Sequence, residues 1–334
     1  MARKKKFLIA VMAFVVMVVG FSFKSFTPPI FTAGSIAELT ELRVNDDTQY
    51  VLIRGHDRTA PVLFFVHGGP GMPAMYLAHD FQRELEKHFV VVHWDQRGAG
   101  KSYKKEQDTA RLRISTLLQD MDVVVDELRQ RLGAQRIWII GHSHGSYLGA
   151  LYAAQYPQKV RALIGVGQVA NAKDGGRSLE IQRGFLKDAL PLLDHAPGAT
   201  IDAGNVEELL FEAGAEIYGA TSYTPLVVSG LQSTEYSLGD ILNIAAASAI
   251  SSRSMKYDMS TDLVSDRSSF AVPVAIVMGE FDYVTPLELA KEFFDAIDAP
   301  AKQWIVVPGT AHFPHFEDPE AFTRILLELK KQWD

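Results

Sequence analysis

The chain has no cysteine among its 334 residues, and this absence removes several kinds of chemistry. Disulfides, thiolate metal sites, iron–sulfur clusters and a cysteine nucleophile are all excluded. Basic residues are also scarce once Arg3, Lys4, Lys5 and Lys6 are set aside, because 29 of the 33 Lys and Arg then stand against 40 Asp and Glu, a formal charge of −11. A domain this acidic repels a phosphate backbone, so nucleic acid is not an expected partner.

Metal-binding patterns are missing as well. Ten histidines occur, but no H-E-x-x-H or comparable ligand spacing is found among them. The sequence therefore predicts no metal site. What the chain does have is 47% hydrophobic residues, over a length that accommodates one large α/β domain or two smaller ones.

The first long apolar stretch directly follows the basic cluster. Phe7 to Phe23 contains no charged residue, and as a helix it would extend about 25 Å, near the lower limit for crossing a hydrocarbon core of about 30 Å. We expect residues 1–23 to form an uncleaved signal anchor and transmembrane helix, followed by a linker over 24–40. The rest of the chain then lies on the extracytoplasmic side of the membrane as a single-pass protein. Secretion after signal cleavage is the alternative, for which Gly20-Phe21-Ser22 offers small residues at a suitable spacing.

A candidate nucleophile stands near the middle of the chain. Ile137 to Ile140 is a short apolar run typical of a buried strand, and Gly141-His142-Ser143-His144-Gly145 follows it without a gap before a helix-like stretch. This is the strand, turn and helix that a G-x-S-x-G nucleophile elbow requires, with glycines where larger side chains would collide with neighbouring backbone. The pattern predicts that Ser143 is held out at the carboxyl edge of a sheet.

A glycine-rich turn, His67-Gly-Gly-Pro-Gly71, follows another apolar run, Val62 to Val66. As a dinucleotide fingerprint it fits poorly, since Pro70 and Pro73 remove backbone donors that a pyrophosphate would need. As an oxyanion-hole loop it fits well: the N–H of Gly69 would pair with the N–H of His144, the residue after the nucleophile.

The next strand-like run leads into Asp95-Gln-Arg-Gly-Ala-Gly-Lys-Ser102, which imitates a phosphate-binding loop. Such a loop requires glycine where Asp95 stands, so we expect Asp95 and Arg97 to pin the loop by a salt bridge instead. Apolar residues then repeat at helical spacing from Ile114 to Leu132, and Gly133 is placed to end that helix.

Together these motifs resemble the proline iminopeptidase branch of the α/β-hydrolases. The resemblance is carried by 67–71, 94–102 and 141–146, and it continues in Gly279-Glu-Phe-Asp-Tyr-Val-Thr-Pro286 and Gly309-Thr-Ala-His312. It implies a cofactor-free serine hydrolase that releases N-terminal residues from short peptides. The fold it implies is a mostly parallel sheet with helices on both faces and an inserted helical cap.

The remaining members of a triad are expected in the second half of the chain. After the core segment 41–170, helical periodicity replaces the strand pattern over 171–268, which we interpret as the cap, and the core resumes over 269–334. Asp282 follows the strand-like run Val272 to Met278, and His312 follows the next one, so the order Ser, Asp, His is that of the α/β-hydrolases. His315 is the rival base, although it lies nearer the helix that Asp318-Pro319 opens.

The substrate is left open by the sequence. The aminopeptidases of this branch hold the substrate's α-ammonium with carboxylates, yet Tyr283 follows the triad acid here, the cap has no tryptophan, and His144 replaces a tryptophan common in the family. Three classes therefore stay open: an aminopeptidase acting on short peptides, an esterase or other small-acyl hydrolase, and a non-catalytic ligand-binding protein. The candidate substrate-binding residues are Tyr283 and the cap glutamates Glu207, Glu208, Glu212, Glu216 and Glu235.

Overall fold

The computed structural model describes residues 25–170, 175–190, 200–255, 258–259 and 261–334. The predicted membrane helix over 1–23 lies outside these residues. Among the helices that are described, none is both long and apolar enough to cross a bilayer.

A single eight-stranded sheet forms the centre of the molecule. Its strand order is β1-β2-β4-β3-β5-β6-β7-β8. β2 runs antiparallel to both of its neighbours, whereas the pairs from β4 to β8 are parallel. The strands are β1 Ile36–Val44, β2 Asp47–Gly55, β3 Val62–Val66, β4 Val90–Asp95, β5 Ile137–His142, β6 Val160–Val166, β7 Val274–Gly279 and β8 Lys302–Val307.

Helices cover both faces of this sheet. Side chains alternate along each strand, so that in β3 Phe64 packs into one apolar cluster while Phe65 packs into the other. Continuous apolar strands such as β3 and β5 are therefore explained by burial on both sides. The described helices are α1 Ala78–Phe81, α2 Ile114–Leu132, α3 His144–Gln155, α4 Gly175–Ala189, α5 Val206–Glu212, α6 Thr224–Gln232, α7 Leu238–Met255, α8 Leu263–Asp266, α9 Leu287–Ala296, α10 Pro314–Glu317 and α11 Pro319–Trp333.

The cap is inserted between two strands that are paired with each other. β6 ends at Val166 and β7 begins at Val274, yet Val166 lies opposite Val277 in the parallel ladder. The described helices between them, α4 to α8, include a small apolar cluster of their own around Leu186, Leu209 and Leu210. The mostly parallel sheet with helices on both faces, expected from the resemblance, is confirmed.

Two local expectations have different outcomes. α2 spans Ile114–Leu132 as predicted, and Gly133 ends it in the left-handed region at φ 66°. The segment predicted as a linker, by contrast, already contains the start of β1, because the antiparallel pairing of β1 with β2 extends back to Ile36 opposite Gly55.

Candidate active site

Ser143 lies at the sharp turn between β5 and α3. Its backbone angles are φ 53° and ψ −124°, a conformation that non-glycine residues rarely adopt. The turn needs its two glycines, because a Cβ at Gly141 would lie 2.2 Å from the carbonyl oxygen of Gly145, and one at Gly145 would lie 2.1 Å from that of Val66. The strand, the turn and the helix have the geometry of a nucleophile elbow, with the serine at the apex.

Asp282 and His312 are in direct contact. Both side chains are buried, and Nδ1 of His312 lies 2.9 Å from Oδ2 of Asp282. A hydrogen bond at this distance fixes the proton on Nδ1, which leaves Nε2 as the basic nitrogen of the neutral ring. The structure therefore brings these two predicted residues together in the relation that a general base and its orienting carboxylate require.

Thr285 holds the carboxylate of Asp282 from the next turn of the loop. Its backbone N–H donates to Oδ1 at 2.9 Å, and its hydroxyl donates to Oδ2 at 2.9 Å. Both oxygens of Asp282 are thus occupied by donors, which keeps the carboxylate fixed opposite the imidazole. This residue was missed in the sequence, although a threonine three residues after an aspartate is a spacing that such turns use.

The loop that carries His312 is fixed by two glutamates. The carboxylate of Glu317 accepts hydrogen bonds from the amides of Ala311 and Phe313, at 3.0 and 2.9 Å, on either side of the histidine. The amide of His312 itself donates to the backbone oxygen of Glu216, a cap residue, at 3.0 Å. No pattern in the sequence indicated Glu317, since it lies on the short helix α10 and its contacts depend on the folding of the loop before it.

Gly167 lies directly against the imidazole of His312. A Cβ at this position would lie 2.9 Å from the ring of His312 and 3.3 Å from Oδ2 of Asp282. Gly167 has φ 52° at the end of β6, so both its conformation and its neighbours exclude a side chain. It is a third residue that no pattern in the sequence indicated.

The pKa of His312 is set by opposing influences. Burial lowers it, but the negative charge of Asp282 and the hydrogen bond to it raise it more strongly, so the net pKa lies above the usual 6.5. A base with this pKa is basic enough to accept the proton of a serine hydroxyl near neutral pH.

Ser143 and His312 line the same cavity, whose volume is about 270 Å³. Gly68 lies directly against the serine, since a Cβ there would come within 2.9 Å of Ser143 Cβ. The cap closes the opposite side of the cavity through Tyr223 and Leu226 of the α6 region and Ser248 of α7. The cavity therefore lies between the carboxyl edge of the sheet and the inserted helices.

Of the two predicted oxyanion donors, Gly69 lines this cavity and His144 does not. Gly69 lines it and has φ 107°, and a Cβ there would lie 2.5 Å from the amide nitrogen of Met72. His144 is the first residue of α3, so its amide has no intrahelical acceptor and is available to a ligand. The ring of His144 is buried with both nitrogens unpartnered, so only the main chain of this residue suits an oxyanion.

His315, the rival base, is not arranged for catalysis. It is fully buried, and neither of its ring nitrogens has a hydrogen-bond partner. Its ring packs on Phe65 and Phe81, and burial lowers its pKa to about 3. Between the two histidines, the contact with Asp282 favours His312.

His142 supports the base from the other side. Its Nε2 lies 2.8 Å from the backbone oxygen of His312, and the two rings pack at 4.8 Å between centroids. Burial and the neighbouring histidines hold the pKa of His142 well below 6.5, so the ring is neutral and donates this hydrogen bond.

The candidate substrate-binding residues divide into two groups. Glu207 and Glu216 line the cavity beside Ser143 and His312. Glu216 is half-buried, Oε2 lies 3.4 Å from the hydroxyl of Tyr223, and burial raises its pKa. In the described part of the chain, the residues lining this cavity include no lysine or arginine. The cavity thus contains both carboxylates and the nucleophile.

The other four candidates do not line this cavity. Glu235 is buried and accepts hydrogen bonds from Thr27 and its own neighbours in the loop between α6 and α7. Tyr283 stacks on Phe185 at 3.9 Å between ring centroids and does not line the cavity. Glu208, which is exposed, and Glu212 at the end of α5 do not line it either.

The expected salt bridge between Asp95 and Arg97 is wrong. Arg97 pairs with Asp120, with Nε 2.7 Å from Oδ2. Asp95 instead accepts hydrogen bonds from the amide of Lys101 and from the hydroxyl of Tyr236, a cap residue. Burial raises the pKa of Asp95 to about 7, although both donors lower it. The loop over 95–102 is therefore fixed by hydrogen bonds, as expected, but the buried carboxylate of Asp95 also binds the cap through Tyr236.

Comparisons with known proteins agree with this geometry. Residues 61–193 match the family model described as the alpha/beta hydrolase fold. A protein named probable aminopeptidase YbaC, from Bacillus subtilis, is 28% identical over 304 residues, which cover 87% of this chain and 96% of the relative. A proline iminopeptidase of Heyndrickxia coagulans is 25% identical over 273 residues, covering 78% and 87%. The crystal structure of proline iminopeptidase from Mycobacterium smegmatis superposes with a TM-score of 0.66 at 21% identity, covering 88% and 98%.

The chain has the α/β-hydrolase fold, and it is a hydrolase that resembles the serine hydrolases of that superfamily. Within that superfamily, the resemblance to the proline iminopeptidase branch that the sequence motifs indicated is confirmed.

Proposed function

We propose that the protein is a serine aminopeptidase that removes N-terminal residues from short peptides. The observation that supports this best is the presence of Glu207 and Glu216 in the cavity that also contains Ser143 and His312. A free α-ammonium is a compact cation, and a half-buried carboxylate binds it with a charge-assisted hydrogen bond. The relatives named aminopeptidase and proline iminopeptidase support the same substrate class.

The chemistry proceeds by acyl transfer. Nε2 of His312 accepts the proton of Ser143 as its oxygen attacks the carbonyl carbon of the first peptide bond. Asp282 keeps the Nδ1 proton in place and stabilises the imidazolium that forms. The oxyanion is received by the amides of Gly69 and His144, and the protonated His312 then gives its proton to the leaving amine. A water molecule, activated by the same base, releases the N-terminal residue from Ser143.

The test compares Glu216→Gln with Glu208→Gln, a matched control outside the cavity. We expect Glu216→Gln to lower kcat/KM for proline and alanine anilides about ten- to a hundredfold, since a hydrogen bond to a charged group contributes about 1.5–3 kcal/mol. Hydrolysis of a short phenyl ester, which has no ammonium, should stay within about twofold of the unsubstituted protein. Glu208→Gln should leave both activities unchanged.

The mechanism has its own control in Ser143→Ala. This variant should lose both activities and all labelling by an organophosphonate. If Glu216→Gln and Glu208→Gln behave alike toward anilides, the ammonium site is refuted while the serine mechanism stands. If anilides are never cleaved but esters are, the aminopeptidase proposal fails.

A second candidate is an ester or other small-acyl hydrolase. The apolar part of the cavity wall favours it, since Met72, Leu77, Leu226, Val284 and Phe313 line the space between the serine and the cap. Such a wall accommodates an acyl chain by burial alone. The same pair of substrates distinguishes this candidate, because an esterase needs no free amine and is insensitive to Glu216→Gln.

A further inference from the structure

Two neighbouring helices of the cap leave large apolar side chains in solvent. In α6, Val227, Val228 and Leu231 are 51%, 45% and 63% exposed, and in α7 Leu238 and Leu242 are 38% and 71% exposed. Positions 227 and 231 are about one helical turn apart, as are 238 and 242, so each pair lies along one side of its helix. We call these five residues the cap apolar face.

The two helices meet close to this face. A Cβ at Gly230 of α6 would lie 3.1 Å from Cδ1 of Ile241 in α7. Leu231 and Leu242 are the chain neighbours of these two residues, so they flank the contact between the helices. The exposed apolar side chains therefore belong to adjacent elements.

The segment that contains both helices and their connecting loop carries almost no charge. Between 217 and 252, only Glu235 and Asp240 carry a charged side chain. Glu235 is buried, and Asp240 accepts a hydrogen bond from Nζ of Lys101 at 2.8 Å. Both carboxylates therefore have partners within the protein. Surfaces that face water usually carry many charges, whereas a large apolar surface without them is typical of a binding surface.

The N-terminal chain joins the described structure at the same place. The amide of Phe26 donates to the backbone oxygen of Thr234, in the loop between α6 and α7, at 2.8 Å. The hydroxyl of Thr27 donates to Glu235 in that loop at 3.0 Å. Only Lys24 and Ser25 separate Phe26 from the apolar stretch 7–23, for which the sequence predicts insertion into a membrane. A bilayer that holds 7–23 thus begins beside α6 and α7.

We propose that the cap apolar face docks on the lipid bilayer that holds the N-terminal segment. The occupant of the face is the interfacial layer of lipid, into which the valines and leucines insert by burial of apolar surface. Since the face has no basic residue, a zwitterionic phospholipid suffices and anionic headgroups add nothing. Leu226 and Ser248 from the same two helices line the active-site cavity, so docking places the cap side of the cavity at the membrane. The proposal is independent of the choice between peptide and ester substrates.

The absence of cysteine makes a direct test possible, because one introduced cysteine is labelled without background. The full chain carrying Leu231→Cys or Leu242→Cys is labelled with an environment-sensitive fluorophore and reconstituted into phosphatidylcholine bilayers. The matched control is Gln130→Cys, an exposed position on helix α2, which lies outside the cap. We expect a blue shift of the emission and quenching by nitroxide-labelled phosphatidylcholine at 231 and 242, and neither at 130.

Three results overturn the proposal. The first is emission at 231 and 242 that is as water-exposed and as weakly quenched as at 130. The second is blue-shifted emission that lipid nitroxides do not quench, which indicates that a second copy of the chain or residues 1–24 cover the face. The third is retained lipid quenching of a probe at Val228→Cys after Leu231→Glu and Leu242→Glu are introduced together, since removal of two of the inserted side chains should abolish it.

Discussion

At the scale of single residues, the imidazole of His312 is held by more groups than the triad itself supplies. Asp282 binds its ring, Glu317 binds the amides on both sides, and Gly167 leaves just enough room beside it. Such support keeps a reacting group within a fraction of an ångström of its working position, which is where much of the rate of an enzyme originates.

Thr285 allows the value of this support to be measured. Thr285→Val removes the hydroxyl that donates to Asp282, and we expect kcat to fall by about tenfold, because one hydrogen bond to a charged group is lost. KM for an ester should change little, since the cavity keeps its shape. Thr285→Ser retains the hydroxyl and should restore most of kcat. Equal kcat values for the valine and serine variants would show that the hydroxyl does not position the carboxylate.

The sequence predicted the members of this site unequally. Ser143, Asp282 and His312 each follow an apolar run, and the carboxyl ends of parallel strands meet at one edge of a sheet, so their proximity was predictable. The sequence did not show which of Glu216 and Glu208 would line the cavity. Both are glutamates of cap segments, and only the packing of those segments decides that Glu216 lines the cavity while Glu208 faces solvent.

At the scale of elements, the turn between β5 and α3 lies in close contact with β3. It depends on Gly145, whose Cα lies so close to the end of β3 that a Cβ would meet the oxygen of Val66 at 2.1 Å. A shift of β5 that made room for such a Cβ would disturb its ladder with β3.

Gly145→Ala should therefore destabilise the protein strongly. We expect the free energy of unfolding in urea to fall by about 3 kcal/mol or more, as for other overpacked sites in a core. Gly184→Ala is the matched control in a cap helix, since a Cβ there meets nothing within 4 Å. It should stabilise the protein by about 0.5–1 kcal/mol through helix propensity. A similar loss in both variants would mean that the contact at Gly145 is not what limits substitution.

Most elements of the core could be predicted from the sequence, and most relations within the cap could not. Runs such as Val62–Val66 and the helical repeat over Ile114–Leu132 have a single periodicity, which identifies the element directly. Tyr236 illustrates the opposite case. Its hydroxyl binds Asp95 in the core across a long separation in sequence, and no local pattern indicates such a contact.

At the scale of the whole molecule, the histidines give the fold a marked dependence on pH. His67, His93, His142, His144 and His315 are all buried. Burial holds the pKa of each below the usual 6.5: to about 4 for His67, to about 3 for His93, His144 and His315, and well below the usual value for His142. These rings stay neutral in the folded protein but bind protons after unfolding. Their contribution to stability is therefore largest above pH 6.5 and is lost as the pH falls toward 4.

His93→Leu tests this pH dependence with one residue outside the triad. His93 packs on Phe65 in the core, at 4.9 Å between centroids. Removing its titration should shrink the difference in the free energy of unfolding between pH 7 and pH 5 by about 2 kcal/mol, since an unfolded histidine with a pKa of about 6.5 gains that much from protonation. The measurement is urea denaturation at both pH values. An unchanged difference would show that His93 titrates alike in the folded and unfolded chain.

The direct pairing of β6 with β7 has a consequence for how proteins of this kind diversify. The cap leaves the end of β6 and returns to the start of β7, where Val274 lies opposite Leu163, so its two ends are roughly 11 Å apart on neighbouring strands. A connection of almost any length can join two points this close without changing the sheet. A graft of another insert at Val166 and Val274 would bring new specificity to an unaltered hydrolytic centre, provided that it supplies a partner for the buried carboxylate of Asp95 and an acceptor for the amide of His312.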